Sequence, residues 1–265
     1  CPFSIFAVDM IKAAFFDLDG TLVSFKTHTI PESTIKALDL LRSNGVRLFM
    51  ASGRHRSMMY QLGDLKFDGY VTINGCITYV DGKIIDKHPI AREVVQKKLA
   101  YMDKHPMPSC FVCEDGLVMN YLNKDTDAIF DLLAFPTPPL RDLREAVKDK
   151  DVYQFISFCP QAQDDSMMAE LGGCASARWH ELFTDIVPKN ISKVTGIQAI
   201  ERLMGISRDE VATFGDGGND VEMLEYAGLG IAMGNAAPEV QKKAKVVTTS
   251  VDEDGILNAV KRWIL

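Results

Sequence analysis

Two short acidic runs in this chain carry residue types and spacings that could do chemistry. In Phe15-Phe16-Asp17-Leu18-Asp19-Gly20-Thr21, two carboxylates two positions apart follow an apolar stretch. Gly20 frees the backbone to approach an anion, and Thr21 can cap the loop. In Phe214-Gly215-Asp216-Gly217-Gly218-Asn219-Asp220, two more carboxylates and two consecutive glycines share one turn. Four aspartates brought together would repel one another strongly without a cation. A hard divalent ion with oxygen ligands removes that objection, and Mg²⁺ is the usual choice beside phosphate. The plainer alternatives are a solvated turn for the first run and a helix cap from Asn219 or Asp220 for the second.

Two weaker signals accompany them. Ser52 and Gly53, after the apolar run Val46 to Ala51, offer a hydroxyl and a backbone N–H at a helix start, which suits a phosphate oxygen. Lys193 opens a helix-like run shortly before the second acidic loop, whereas Lys189 follows Pro188 in what reads as a linker, so Lys193 is preferred. Arg54, Asn74 and Arg178 are conceivable substrate contacts, each weighed against a surface or turn role. The five histidines (28, 55, 88, 105, 180) have no ligand spacing, and the 12 methionines read as core filler.

The elements that must position these residues alternate. Ile11 to Phe16 reads as a doubly buried strand, Pro31 to Asn44 as a helix with Ile35, Leu38 and Leu41 on one face, and Val46 to Ala51 as a second strand. A helix-like stretch follows through Met58, Met59 and Leu62. After Pro188 the alternation resumes with helix Lys193 to Met204, strand Val211 to Phe214, helix Asn219 to Ala227, strand Leu229 to Met233 and a closing helix from Glu253 to Ile264. Such βα alternation predicts a Rossmann-like parallel sheet with right-handed crossovers and helices on both faces. In open sheets of that kind ligands bind at the carboxyl ends of the strands, where both acidic runs fall.

Between them the texture is α+β. Asn74-Gly75 and Asp81-Gly82 punctuate short strand-like runs, and Arg92 to Lys104 and Gln161 to Leu171 read as helices. Ser109 to Tyr121 reads as a hairpin turning at Glu114-Asp115-Gly116, Val152 to Cys159 as a strand, and Phe135 to Pro139 as the loosest segment. The expected organisation is therefore one α/β core, residues 1–80 and 186–265, interrupted by an inserted α+β domain at 81–185.

With 265 residues, 47% hydrophobic and 25% charged, the chain is long enough for a sizeable core and unlike a disordered or collagen-like sequence. Its 29 basic and 36 acidic residues give a net charge of −7, which provides no global field for nucleic acid or an anionic membrane. Six scattered cysteines form no disulfide framework, so a reducing cytoplasm is expected. Cys110-Phe-Val-Cys113 has redox or zinc spacing but lacks a second ligand pair, and structural thiols in a strand are the preferred reading. No apolar run approaches the ~20 residues of a bilayer span, and neither signal peptide nor anchor is expected. Met10-Ile-Lys-Ala reads as a natural start, so no function is assigned to residues 1–9.

These residues resemble the haloacid dehalogenase superfamily of phosphohydrolases, whose ordered motifs are a D-x-D-G-T loop, a strand-end Ser/Thr, a Lys and an acidic G-D-x-x-N-D loop. Asp17 to Thr21, Ser52-Gly53-Arg54, Lys193 and Gly215 to Asp220 match in order across nearly the whole chain. The insertion between the second and third motifs resembles the Cof-type branch with a class IIB cap, whose commonest members are sugar phosphatases. The family's lysine is often followed directly by glycine, whereas here Gly196 comes three residues later.

The resemblance implies a Mg²⁺-dependent phosphomonoester hydrolase working through an aspartyl-phosphate. Asp17 would be the nucleophile, Asp19 the acid and base, and Lys193 the third catalytic group. By family analogy Asp17, the backbone carbonyl of Asp19 and Asp216 hold the metal, with Asp220 directly or through water. Leu18 and Gly53 would offer backbone N–H groups and Ser52 its hydroxyl to the phosphate, and Asn219 would help to orient Lys193 or the phosphate. The implied partner is a small phosphorylated metabolite, not nucleic acid or membrane, bound by a monomer or weak dimer. Two rivals stay open: a phosphotransferase or phosphomutase of the same superfamily, and a non-enzymatic receiver-like signalling module, which needs neither Asp19 nor a large cap.

Overall fold

The computed structural model describes residues 11–133 and 135–265; the expected start at Met10 and residues 1–9 lie outside them. In chain order the first part holds β1 (Ala13–Phe16), α1 (Glu32–Ser43), β2 (Arg47–Ala51), β3 (Gly69–Thr72), β4 (Ile77–Val80) and β5 (Lys83–Lys87). Then come α2 (Arg92–Lys104), β6 (Ser109–Cys113), β7 (Gly116–Met119), α3 (Lys124–Leu133), α4 (Leu143–Ala146), β8 (Val152–Ser157), α5 (Gln161–Leu171), β9 (Cys174–His180) and β10 (Phe183–Pro188). The chain closes with α6 (Lys193–Met204), β11 (Val211–Gly215), α7 (Val221–Tyr226), β12 (Leu229–Ala232), α8 (Pro238–Gln241), β13 (Val246–Val247) and α9 (Gly255–Ala259).

Eight strands form one sheet in the order β13-β12-β11-β1-β2-β3-β4-β5. It is parallel from β13 to β3, and β4 and β5 are added antiparallel. Strand alternation explains its two covered faces. Ala14 and Phe16 point into a cluster with Leu38 and Leu41 of α1 and Ile256 and Ala259 of α9. Ala13 and Phe15 point the other way, toward Ile197 and Ile200 of α6 and Met223 of α7. Phe15 stacks on Phe49 at 4.9 Å and Phe16 on Phe214 at 4.8 Å, so β1 is locked to both neighbours.

The second unit has its own sheet, β7-β6-β8-β10-β9, antiparallel throughout. Its core joins Val95 and Leu99 of α2 to Phe111, Phe155 and Ile186 of the strands and Met167 of α5. Cys110 and Cys113 sit in different clusters, on opposite faces of β6, and all five described cysteines are free and buried. Among the described residues no helix is long and apolar enough to cross a membrane.

The compact units divide at Lys87 and Ser192, with His88–Ile191 forming the insertion. The sequence boundary at 80/81 falls in the turn of the β4–β5 hairpin, and that at 185/186 cuts β10. Asp81 and Gly82 both take positive φ (49° and 76°), a turn that folds β5 back onto β4 and keeps it with the larger sheet. At the other end β10 runs to Pro188 between β8 and β9. A second difference lies at 56–62, where the expected helix is two separate 3₁₀ turns, Arg56–Met58 and Tyr60–Leu62. The Arg54 side chain takes the Met58 carbonyl that a continuing helix would need, at 2.9 Å.

Candidate active site

β1, β2 and β11 are adjacent and parallel, so the loops that leave them emerge at one edge of the sheet. Asp17 directly follows β1, Ser52 follows β2, and Asp216 follows β11. The fourth element is the start of α6, which meets the turn before β4. Gly75 sits at φ +97°, and a Cβ there would stand 2.0 Å from the Ser192 carbonyl. Only glycine permits that approach, which seats the start of α6 and hence Lys193.

Lys193 is buried, and its Nζ donates to Asp17 Oδ1 and Asp220 Oδ1, each at 2.5 Å. Burial opposes its charge, but the Asp17 and Asp220 carboxylates and these hydrogen bonds outweigh that and hold its pKa above the usual lysine range. Asp220 Oδ2 accepts the N–H groups of Asp216 and Gly217 at 2.9 Å. Asp220 thus ties its own loop and braces the lysine instead of capping α7. Asp216 accepts from the Thr21 hydroxyl at 2.9 Å, and Gly20 at φ +81° lets the first loop close on it. A Cβ on Gly20 would stand 2.1 Å from Asp216 Oδ2.

The carboxylates of Asp17, Asp216 and Asp220 each bring one oxygen within 4.8 Å of the others. Burial and then the Asp220 charge push Asp17 well above the usual carboxylate range. Burial and Asp220 likewise push Asp216 up to about 7. That strain is what four converging carboxylates produce with Lys193 and Arg54 as the cations paired with them. A divalent ion with oxygen ligands fits both the donor set and the remaining excess of negative charge.

Every motif residue expected from the sequence falls in this one unit. Asp19 is the exception in orientation: its carboxylate is gripped by Arg54, with Nε to Oδ2 at 2.7 Å and Nη2 to Oδ1 at 2.5 Å. Leu18 and Ser52 are buried, and the Ser52 Oγ accepts the Arg54 N–H at 3.1 Å. Gly53 packs against Asn74 and Asn219, and Asn219 Nδ2 donates to Asn74 Oδ1 at 3.0 Å. Asn74 holds φ 52°, so this contact depends on a left-handed residue in the turn before β4.

Lys193, not Lys189, meets the carboxylates; Lys189 donates its N–H to Gly173 in the insertion. Arg178 is also used internally there, on the Cys159 carbonyl at 2.9 Å and Asp164 at 3.5 Å. Sequence reasoning missed Asn235. Its Nδ2 donates to the Gly20 carbonyl at 2.8 Å and to Asp216 Oδ2 at 3.1 Å, while its Oδ1 accepts the Val251 N–H at 2.9 Å. The available signal was Met233-Gly234-Asn235, a fourth glycine-containing loop leaving an apolar strand of the same sheet.

A family model described as haloacid dehalogenase-like hydrolase matches residues 14–260. "Putative phosphatase YkrA" of Bacillus subtilis (strain 168) is 34% identical over 254 residues, covering 94% of this chain and 96% of that one. Among solved structures, the HAD subclass IIB sugar phosphatase BT4131 is 38% identical with a TM-score of 0.87, covering 96% of this chain and 100% of its own. The HAD phosphatase BT1666 from Bacteroides thetaiotaomicron is 32% identical with a TM-score of 0.88, covering 98% and 97%.

Proposed function

The chain belongs to the haloacid dehalogenase-like hydrolases, and from that membership we propose a Mg²⁺-dependent phosphatase that cleaves a small phosphomonoester through an aspartyl-phosphate on Asp17. The phosphatase class rests on the family and on relatives of nearly full length. One observation carries the finer reading: Lys193 joins the first and last motifs by bridging Asp17 and Asp220 at 2.5 Å, with Asp216 beside them.

In the first half-reaction a carboxylate oxygen of Asp17 bonds to phosphorus as the ester P–O bond breaks. Asp19 gives its proton to the departing oxygen, and the alcohol leaves. In the second, water bonds to phosphorus and yields a proton to Asp19. The Asp17 O–P bond then breaks, releasing inorganic phosphate and restoring both carboxyls. Lys193 holds Asp17 in line and shares the charge of the phosphoryl oxygens. Ser52 through its hydroxyl, Leu18 and Gly53 through backbone N–H groups, and Asn219 through its amide complete the phosphate cradle. Held by Asp17, Asp216 and the Asp19 backbone carbonyl, with Asp220 directly or through water, Mg²⁺ would supply Lewis-acid stabilisation of those oxygens.

The inserted unit, residues 88–191, is assigned the selection of the leaving group. Sugar phosphates are the favoured class, supported by the 38% identity to a sugar phosphatase over 96% of the chain. Free, buried cysteines support a reducing, cytoplasmic setting. The test is phosphate release from a panel of sugar phosphates, nucleotides, cofactor phosphates and an aryl phosphate, with Mg²⁺ or with EDTA, for wild type and Asp17→Asn. The expected result is metal-dependent release that Asp17→Asn abolishes. Equal release from the variant overturns the mechanism; release that appears only with an added sugar acceptor points to phosphotransfer.

A further inference from the structure

We propose that Arg54 is the positioning residue of the acid/base, fixing the Asp19 carboxyl in the orientation from which it passes its proton to the leaving oxygen. This rests on the reading of Asp19 given above and adds a residue to it. Asp19 lies in the loop after β1 with a third of its side chain exposed, so without a partner it would sample several rotamers. The guanidinium removes that freedom. Its Nε and Nη2 meet the two carboxylate oxygens as a fork, at 2.7 and 2.5 Å, which sets the plane of the carboxyl as well as its place.

The fork is itself rigid. Nη1 donates to the Met58 carbonyl at 2.9 Å and to Gln61 Oε1 at 3.1 Å, and the Arg54 side chain is only 11% exposed. The two 3₁₀ turns at 56–62 therefore act as a mount for the guanidinium. All three guanidinium nitrogens are engaged inside this unit, which makes Arg54 a poor candidate for gripping substrate directly. The Arg54 N–H meanwhile rests on Ser52 Oγ, so one turn after β2 orders the phosphate-facing hydroxyl and the anchor of the acid/base together. Lysine cannot reproduce the arrangement, because it offers a point charge and no fork.

Leaving-group dependence separates this role from a structural or binding one. A nitrophenolate departs without a proton, whereas a sugar alkoxide requires one, and kcat/KM reports only the steps through formation of the phosphoenzyme. The experiment measures kcat/KM for p-nitrophenyl phosphate and for the fastest sugar phosphate of the panel in wild type, Arg54→Ala, Arg54→Lys, Asp19→Asn and the Asp19→Asn/Arg54→Ala double variant. General acid catalysis is generally worth ~10²–10⁴-fold, so Arg54→Ala is expected to lower the sugar-to-aryl ratio by about 10²-fold. Arg54→Lys should recover little of it. The ratio is taken within one preparation, so it does not depend on the folded fraction. In the Asp19→Asn background, removing Arg54 should lower the ratio no further.

An equal loss on both esters, or a further fall in the double variant, overturns the proposal. If Asp19→Asn discriminates between the esters and Arg54→Ala does not, only the Arg54 assignment fails. If Asp19→Asn does not discriminate either, the acid/base reading fails with it.

Discussion

Each unit of this protein buries one lysine completely, and the two have been driven in opposite directions. Lys193, in the larger unit, meets Asp17 and Asp220 and is held above the usual lysine range despite its burial. Lys98, in the insertion, meets the Ser157 hydroxyl at 2.8 Å and the thioethers of Met167 and Met107 at 3.0 and 3.4 Å. Burial lowers it to about 7, and the more distant Cys159 and Asp164 only partly offset this. Burial is thus the common factor and the partners decide the sign. The lysine surrounded by carboxylates keeps its charge; the lysine set among thioethers and a hydroxyl is lowered toward neutrality.

The largest expected contrast is in activity. On the proposed mechanism Asp17→Asn should abolish phosphate release, a loss on the order of 10⁴-fold or more. Lys98→Met should leave the rate on p-nitrophenyl phosphate within about twofold. Steady-state phosphate release checks both, and a Lys98→Met variant as inactive as Asp17→Asn would break the comparison.

Next comes stability, where the same substitution should have opposite signs. In EDTA, Lys193→Met leaves buried carboxylates without their cation and should cost about 3 kcal/mol. Lys98→Met replaces a poorly partnered ammonium among apolar neighbours and should be neutral or stabilising, by on the order of 1 kcal/mol. Urea unfolding of the two variants against wild type reads the difference.

A ligand that neutralises the carboxylates should act on one unit alone. Mg²⁺ at a hundred times its Kd should stabilise the native state by about 2.7 kcal/mol, seen as a rise in Tm. Asp216→Ala should remove that rise, while Lys98→Met should keep it. A Tm unmoved by Mg²⁺ in wild type would contradict a cation site at Asp17, Asp216 and Asp220.

The last contrast is in pH dependence. Lys98 has a folded pKa of about 7 against 10.5 unfolded, so its contribution is present above 10.5 and is lost as pH falls through 7. Wild type should gain on Lys98→Met by up to about 1.4 kcal/mol per pH unit between these limits. In EDTA, Asp216 has the opposite slope: its folded pKa of about 7 exceeds 3.8, so its contribution is present below 3.8 and is lost as pH rises through 7. Unfolding free energies from pH 5 to 9, with and without Mg²⁺, separate the two slopes.

Periodicity made most of this framework legible. Ala13–Phe16, Val211–Gly215 and the helices Arg92–Lys104, Gln161–Leu171 and Lys193–Met204 follow the expected spans closely, because each carries its burial pattern locally. The helix Lys124–Leu133 has no counterpart among the expected elements, although Asn123 Oδ1 accepts the N–H groups of Asp125 and Thr126 at 3.0 Å and caps it in the ordinary way. Strands β9 and β10 lie in a stretch whose sequence reads only as α+β, since their identity rests on pairing across the second sheet.

What the sequence determined by itself is which residues must meet: an aspartate pair, a hydroxyl, a lysine and a second acidic loop, each at the end of an apolar strand or start of a helix. Strand ends in a parallel sheet gather at one edge, and the residue types then dictate an anionic ligand and a cation. Tertiary structure alone decided how those groups divide their bonds. It gave Lys193 to Asp17 and Asp220, gave Asp19 to Arg54 thirty-five residues away, and brought Asn235 to Asp216 from a fourth loop. The physical reason is that a side-chain hydrogen bond needs placement to a few tenths of an ångström, which depends on the register of the sheet and the seating of α6 on Gly75. No local sequence pattern encodes a distance between strands.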